Sequence, residues 1–180
     1  VESEAISDNV KHAVIATEDE TFESHNGVVP KAVIRAALGS VGFGSSSGGS
    51  TLTQQLVKQQ LVGDAPTFTR KANEIISALA LERNMSKDYI LTTYLNVSPF
   101  GRNNQGQNIA GVEEAAQGIF GRSAAELTVP QAAFLAGLPQ SPIVYSPYSS
   151  DGTFKSDENM AYGIARQKDV LYNMYRAGYL

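Results

Sequence analysis

Residues 18–27 have the sequence Glu-Asp-Glu-Thr-Phe-Glu-Ser-His-Asn-Gly. They follow residues 10–17, whose apolar pattern predicts a buried helix. Glu18 and Asp19 are therefore adjacent carboxylates at the point where an apolar helix ends. Partial burial disfavours the charged form of a carboxylate, and enzymes use this effect to obtain a glutamate that accepts a proton near neutral pH. The stretch is typical either of a catalytic carboxylate or of a solvated turn after a helix.

The composition of the chain limits the classes of protein to which it belongs. Its 180 residues, 42% of them hydrophobic, are enough for one globular domain over residues 1–180. The net charge of −4 gives no overall basic signature for nucleic acid, and the absence of cysteine excludes disulfides and cysteine-bound metals. No apolar run approaches the roughly 20 residues that span a bilayer. Because the chain starts at Val1 and not at Met, we expect it to be a piece of a longer protein.

Helical periodicity dominates the sequence, and no alternating strand pattern is convincing. We therefore expect a mostly α domain with about nine helices. Capping boxes at 51–54 and 128–131 and the serine at 86 mark helix starts, and Gly121 marks a helix end. The glycine- and serine-rich segment 39–50 predicts a mobile loop, and 98–108 predicts a polar loop. The main predicted helices cover residues 9–17, 31–38, 51–62, 67–84, 87–96, 109–120, 129–136 and 157–177.

The segment 48–60 combines a glycine pair with the start of a helix. Ser50 and Thr51 place hydroxyl and amide groups at a helix N-terminus, where partial positive charge accumulates. Thr51, Gln55 and Lys58 are four and three residues apart and share one helix face. That face suits phosphate or sugar, but an ordinary capped amphipathic helix with a solvated face has the same pattern.

The segment 70–74 has the sequence Arg-Lys-Ala-Asn-Glu and allows two interpretations. Arg70 and Glu74 are spaced for a simple ion pair along one helix. Alternatively, Arg70 and Lys71 neutralise an anionic leaving group while Glu74 supplies a second carboxylate. We expect His25 to be a hydrogen-bonding residue that shapes the turn after Glu18, since no second histidine lies nearby to complete a metal site.

Taken in order, five motifs resemble those of the peptidoglycan glycosyltransferases, glycosyltransferase family 51. The match is most similar to the transglycosylase domain of class A penicillin-binding proteins and covers nearly the whole chain. Gln59 and Thr92 depart from the pattern, since the family usually has Asn and Glu there. The matching positions are Glu18, Asp19, Phe22, His25 and Gly27; 48–58; Arg70, Lys71, Glu74, Leu81 and Glu82; Ser86, Lys87, Ile90, Leu91, Tyr94, Leu95 and Asn96; and 115–137.

The resemblance implies a lysozyme-like, mostly α-helical domain with a large head lobe and a smaller, membrane-associated jaw lobe. A jaw lobe explains why the glycine-rich segment carries Val41 and Phe43. The implied location is the extracytoplasmic face of the bacterial cell membrane. The full-length chain would be membrane-anchored and bifunctional, with a transpeptidase domain.

The resemblance also implies a reaction and the residues for it. Lipid II is polymerised into β-1,4-linked glycan with inversion at MurNAc C1 and release of polyprenyl diphosphate, and moenomycin inhibits the family. Glu18 would be the general base, and Glu74 the second carboxylate, which orients cations or holds Mg²⁺ or Mn²⁺. No cofactor is expected to be obligatory. The implied substrate-binding residues are Asp19, Ser50, Thr51, Gln54, Gln55, Lys58, Arg70 and Lys71.

Two other functions fit parts of the pattern. A hydrolase on the same scaffold would use Glu18 as a general acid and would not need the cations of Lys58, Arg70 and Lys71. A non-catalytic module would only bind the lipid-linked precursor or a partner protein. The intact first motif favours an enzyme over such a module.

Overall fold

A computed structural model describes residues 1–39, 49–60 and 67–180 of the chain. These residues form two compact units. The central unit consists of Glu18–Tyr94, and the terminal unit combines Val1–Thr17 with Leu95–Leu180. Most of the predicted loop at 39–50, with Val41 and Phe43, lies outside the described residues, as does the predicted end of the third helix at 61–62.

Helices dominate the described residues, which confirms the mostly α prediction and is consistent with a lysozyme-like class. None of the helices in these ranges is both long enough and apolar enough to cross a bilayer. A 3₁₀ turn covers Ser3–Ala5, another covers Ala124–Glu126, and a π-helical turn covers Ala116–Phe120. The α-helices are α1 (Asp8–Glu18), α2 (Pro30–Gly39), α3 (Leu52–Gln60), α4 (Thr67–Asn84), α5 (Lys87–Val97), α6 (Val112–Ala115), α7 (Val129–Ala136), α8 (Pro142–Tyr145) and α9 (Asp157–Arg176).

In the central unit, α3 and α4 pack against each other. Ser86 starts α5 as predicted, since its hydroxyl accepts the Tyr89 N–H at 3.1 Å. The predicted 67–84 helix has apolar residues at spacings of three and four, and two of them point to solvent: Phe68 is 85% exposed and Ile76 65% exposed. The periodicity correctly predicts a helix here, but it does not identify the buried face, because the buried residues of α4 are Glu74 and Ala78. The buried apolar side chains of this unit include Phe22, Leu52, Leu56, Val57, Ala78, Ile90, Leu91 and Tyr94.

The terminal unit contains two short strands that the sequence did not predict. Strand β1 (Pro99–Arg102) pairs antiparallel with β2 (Asn108–Ala110), with an irregularity between the two ends of the ladder. Strands this short contain too few residues to display a clear alternation. The predicted loop at 98–108 is therefore largely a hairpin, and the predicted helix at 109–120 starts only at Val112.

The helices of the terminal unit build its core. Helix α9 packs against α7 and α8, and α8 also packs against β1. The capping box of α7 is present as predicted, with reciprocal bonds between Thr128 and Gln131. Gly121 ends the π-helical turn in the left-handed conformation, with φ of 65°, as its role as a helix terminator predicts.

Candidate active site

The start of α3 is held by two residues whose polar groups are all directed inward. Thr51 Oγ1 accepts the Gln54 N–H at 3.0 Å and donates to the Gly27 carbonyl at 2.6 Å. Gln54 Oε1 accepts the Thr51 N–H at 3.0 Å, which completes the predicted capping box. Thr51 and Gln54 are only 2% and 1% exposed. Both residues therefore support the start of α3, and their binding of substrate stays a prediction.

Asp19 also faces inward. Its Oδ2 accepts the Leu52 N–H at 3.0 Å and lies 2.6 Å from His25 Nε2. A carboxylate is stabilised at a helix N-terminus, where backbone N–H groups lack partners within the helix. Asp19, which is 7% exposed, anchors the 18–27 segment to α3, and its contact with substrate stays a prediction.

His25 is a hydrogen-bonding residue, as predicted. The Gly27 N–H donates to His25 Nδ1 at 2.9 Å, while His25 Nε2 faces Asp19. Gly27 has φ of 116°, and a Cβ there would come within 2.7 Å of the Ala78 carbonyl oxygen. Glycine is therefore required at this turn, because it permits both the backbone conformation and the close approach to α4.

Glu18 is half-buried and faces the amide of Gln55. Gln55 Nε2 lies 3.4 Å from Glu18 Oε2 and 3.4 Å from the Ser50 carbonyl oxygen. The Tyr94 hydroxyl donates to Gln55 Oε1 at 3.4 Å. These contacts orient the amide so that its N–H groups point to the Glu18 carboxylate, which was predicted to be the general base.

Lys71 links Ser50 to the second predicted carboxylate. Its Nζ lies 3.1 Å from Glu74 Oε2 and 3.4 Å from Ser50 Oγ. An ion pair along α4 thus joins Lys71 to Glu74. Arg70 is half-buried on α4 and Lys58 is exposed on α3.

Glu74 is 4% exposed, and its Oε1 has no hydrogen-bond partner within the described part of the chain. Among those same residues, no cluster of three or more His, Cys, Asp or Glu side chains could hold a metal. Glu74 would offer one carboxylate to Mg²⁺ or Mn²⁺. Mg²⁺ is usually bound by one or two carboxylates together with substrate phosphates, so a single carboxylate fits a metal that arrives with a diphosphate.

Sequence reasoning gave no role to three polar residues that the structure places beside this site. Glu82 and Lys87 belong to the quoted motifs, and their side chains are only 7% and 21% exposed. The Tyr94 hydroxyl contacts Gln55, although the sequence identified Tyr94 only as a position that matches a motif. The one indication of a role in the sequence was that ionisable residues occur within the motifs. The residues that they contact are far away in the sequence, so the contacts could not be predicted. Thr92, the departure from the motif, has a buried hydroxyl oxygen without a partner in the described ranges.

Comparison with known proteins identifies the family. The family described as Transglycosylase matches residues 1–175. Penicillin-binding protein 1A of Clostridium perfringens is 37% identical over 185 residues, covering 100% of this chain and 26% of the relative. Penicillin-binding protein 2a of Streptococcus pneumoniae is 41% identical over 182 residues, covering 100% of this chain and 22% of the relative.

Penicillin-binding protein 1A of Neisseria gonorrhoeae is 41% identical over 166 residues, covering 92% of this chain and 19% of the relative. The chain thus spans about a fifth to a quarter of the length of these relatives. The family match over residues 1–175 agrees with the five motifs and their order. The chain belongs to the transglycosylase family, which confirms the membership that the motifs predicted.

Proposed function

We propose that this chain is a peptidoglycan glycosyltransferase that polymerises lipid II into β-1,4-linked glycan strands. Membership of the transglycosylase family supports the reaction class. The observation that carries the proposal is a continuous set of contacts from Glu18 through Gln55 and Ser50 to Lys71. It joins a candidate proton acceptor to a candidate anion-binding cation within the central unit.

Glu18 is the general base of the proposed reaction. It accepts the proton of the GlcNAc 4-hydroxyl on the acceptor, and the oxygen attacks C1 of the donor MurNAc. The new C1–O bond forms as the bond from C1 to the diphosphate oxygen breaks on the opposite face, so the configuration inverts. Half-burial at the end of an apolar helix supports this role, because partial desolvation suits a carboxylate to proton transfer.

The leaving polyprenyl diphosphate takes the electron pair of the broken bond and carries the negative charge. Lys71 stabilises that charge together with Arg70 and Lys58. Preorganised cations at the point where charge develops often contribute the largest electrostatic share of catalysis. Glu74 holds Lys71 in place through the 3.1 Å contact, and its second oxygen is available to a divalent metal bound with the diphosphate.

The other predicted site residues divide by burial. Ser50 and Gln55 are half-buried and adjacent to the reacting groups, so we assign them to the donor sugar and phosphate. Asp19, Thr51 and Gln54 support the site from inside. This division assigns direct contact with substrate only to the five of the eight predicted substrate-binding residues that are not buried.

We further propose that the central unit associates with the membrane in which the substrate is anchored. Phe68 and Ile76 on α4 and Ile34 on α2 expose 85%, 65% and 61% of their surfaces. Such apolar side chains gain free energy on entering a lipid interface. The full-length protein would then act at the extracytoplasmic face of the cell membrane. We also propose that the full-length chain carries a transpeptidase domain.

The test is polymerisation of labelled lipid II, with and without moenomycin and with and without EDTA. We expect long glycan products that moenomycin suppresses, whereas EDTA reports whether a metal assists. Purified polymeric glycan is the control substrate. Release of soluble fragments from that glycan without polymer formation would contradict the proposal and favour a hydrolase, and lack of either activity would favour a binding module.

A further inference from the structure

A cluster of four ionisable side chains lies beside the candidate site, and the proposed reaction gives a role to only one of them, Asp19, which supports the site from inside. The buried cluster consists of Asp19, His25, Glu82 and Lys87. Their side chains are 3%, 5%, 7% and 21% exposed. Lys87 Nζ lies 2.7 Å from Glu82 Oε2 and 4.5 Å from the centre of the Phe22 ring. Burying charged side chains this deeply costs free energy unless they are paired and hydrogen-bonded. The contacts within the cluster should therefore explain why it is retained.

The hydrogen bonds around His25 assign its ring proton. Nδ1 receives the Gly27 N–H at 2.9 Å and has the Lys87 ammonium at 3.3 Å. Two donors at this nitrogen require it to accept. The proton therefore sits on Nε2, which donates to Asp19 Oδ2 at 2.6 Å, and His25 is neutral.

Lys87 controls whether that state persists. Glu82 Oε2 lies 3.6 Å from His25 Nδ1 and also accepts from the Thr53 hydroxyl at 2.7 Å. With the ammonium present, the negative charge of Glu82 is balanced. Without it, the Glu82 carboxylate would lie 3.6 Å from Nδ1 with no balancing cation, and a nearby negative charge favours the protonated imidazole. Protonation would turn Nδ1 into a donor and break its bond with the Gly27 N–H.

Asp19 connects the protonation state of His25 to the position of α3. Its Oδ2 holds both His25 and the Leu52 N–H at the start of α3. One turn further along α3, Gln55 faces Glu18, the neighbour of Asp19 in the chain. A charge imbalance at His25 would therefore disturb the register between the 18–27 segment and α3.

We propose that Lys87 is a positioning residue for Glu18, acting by balancing Glu82 so that His25 stays neutral and Asp19 stays bound to Leu52. The inference deepens the proposed function and rests on it for the identity of Glu18 as the base. Lys87 itself touches no substrate in this account. Its removal should thus affect kcat and leave KM nearly unchanged.

The experiment compares three variants with the wild type: Lys87→Met, the charge-matched double variant Lys87→Met/Glu82→Gln, and Lys87→Arg. Nitrogen NMR of the histidine rings reports the protonation of His25, with His12, the other histidine of the chain, as internal reference. Lipid II polymerisation gives kcat and KM, and thermal unfolding monitors the fold. Lys168→Met, an exposed lysine of the terminal unit, is the matched control.

We expect neutral His25 with its proton on Nε2 in the wild type, imidazolium in Lys87→Met, and the neutral form again in the double variant and in Lys87→Arg. We expect kcat to fall about tenfold or more in Lys87→Met, since small misplacements of catalytic groups have effects of that size. The double variant and Lys87→Arg should recover most of it. Lys168→Met should match the wild type.

If the protonation state of His25 in Lys87→Met is the same as in the wild type, the inference is wrong. It is also wrong if kcat falls equally in the double variant while His25 is neutral there. A rise in KM at constant kcat would also overturn it, by indicating substrate contact. If Lys87→Met does not fold, the double variant and Lys87→Arg decide: lost kcat in either folded variant contradicts the inference. A wild type without polymerase activity would instead refute the proposed function, while the NMR comparison would still test the charge balance.

Discussion

Gln55 brings its side-chain amide to within 3.4 Å of the Glu18 carboxylate, although the two residues are 37 positions apart in the chain. The same amide nitrogen lies 3.4 Å from the Ser50 carbonyl oxygen, next to the hydroxyl that contacts Lys71. One side chain thus connects the candidate base to the candidate anion-binding region. Gln55 is therefore a central part of the candidate site.

Replacing Gln55 by Ala should lower kcat about tenfold, because Glu18 loses the donor that orients it. Tyr94→Phe should act in the same direction but less, since it removes only the hydroxyl that orients the amide. In the double variant the second change should add little, because both act on one contact. Initial rates with saturating lipid II check this. A raised KM at constant kcat in Gln55→Ala would instead indicate that the amide only binds substrate.

Lys71→Met should lower both the rate and the stability. It leaves the Glu74 carboxylate buried without its cation, and we expect a cost of about 1–2 kcal/mol because Lys71 is partly exposed. Arg70→Ala should lower the rate with a smaller change in stability. Urea unfolding and polymerisation rates measure the two effects. A stability loss in Arg70→Ala comparable to that of the core variant Leu56→Ala, with the rate of the folded protein unchanged, would favour a purely structural ion pair.

Thr51→Val and Ser50→Ala separate supporting residues from residues that face the substrate. Thr51→Val removes a helix cap and a buried donor, so we expect a loss of roughly 1–2 kcal/mol in unfolding free energy. KM should change little in the folded protein. Ser50→Ala should do the opposite, raising KM with stability nearly unchanged. Calorimetry and steady-state kinetics give both values, and a raised KM with full stability in Thr51→Val would restore its direct contact with substrate.

Gly27→Ala should destabilise the protein far more than Gly121→Ala. Both glycines have positive φ, 116° and 65°. A methyl group on Gly27 would meet the Ala78 carbonyl oxygen at 2.7 Å, whereas nothing lies within 4 Å of one on Gly121. We expect about 1 kcal/mol for Gly121→Ala and about 3 kcal/mol or more for Gly27→Ala. Chemical denaturation measures this difference, and equal losses would show that the close approach of Gly27 to α4 has no energetic weight.

The features predicted correctly are those determined by neighbours in sequence. The two capping boxes each span four residues, and the end at Gly121 depends on one residue, so local chemistry is sufficient. The hairpin at 99–110 escaped prediction because its strands are too short for a visible alternation. Periodicity along α4 predicted the helix but not its buried face, because Phe68 is exposed while Glu74 and Ala78 are buried.

The sequence predicted which residues belong to the site but not the contacts that they make. The residue types were present in the sequence, but their partners depend on tertiary packing: Asp19 bonds to Leu52, 33 positions away, and Lys87 approaches His25, 62 positions away. Spacing along α4 drew attention to Arg70 and Glu74, but it did not predict that Lys71 lies 3.1 Å from Glu74. Burial also separated Thr51 from Ser50, although the two are adjacent in the same motif.

The most direct measurement is single-turnover polymerisation of labelled lipid II by Glu18→Gln, with binding of lipid II measured in parallel. Glu20→Gln, an exposed carboxylate two positions away, is the matched control. We predict that Glu18→Gln binds lipid II as the wild type does but forms no glycan, whereas Glu20→Gln retains full activity. Appreciable glycan synthesis by Glu18→Gln would contradict the assignment of this carboxylate as the base.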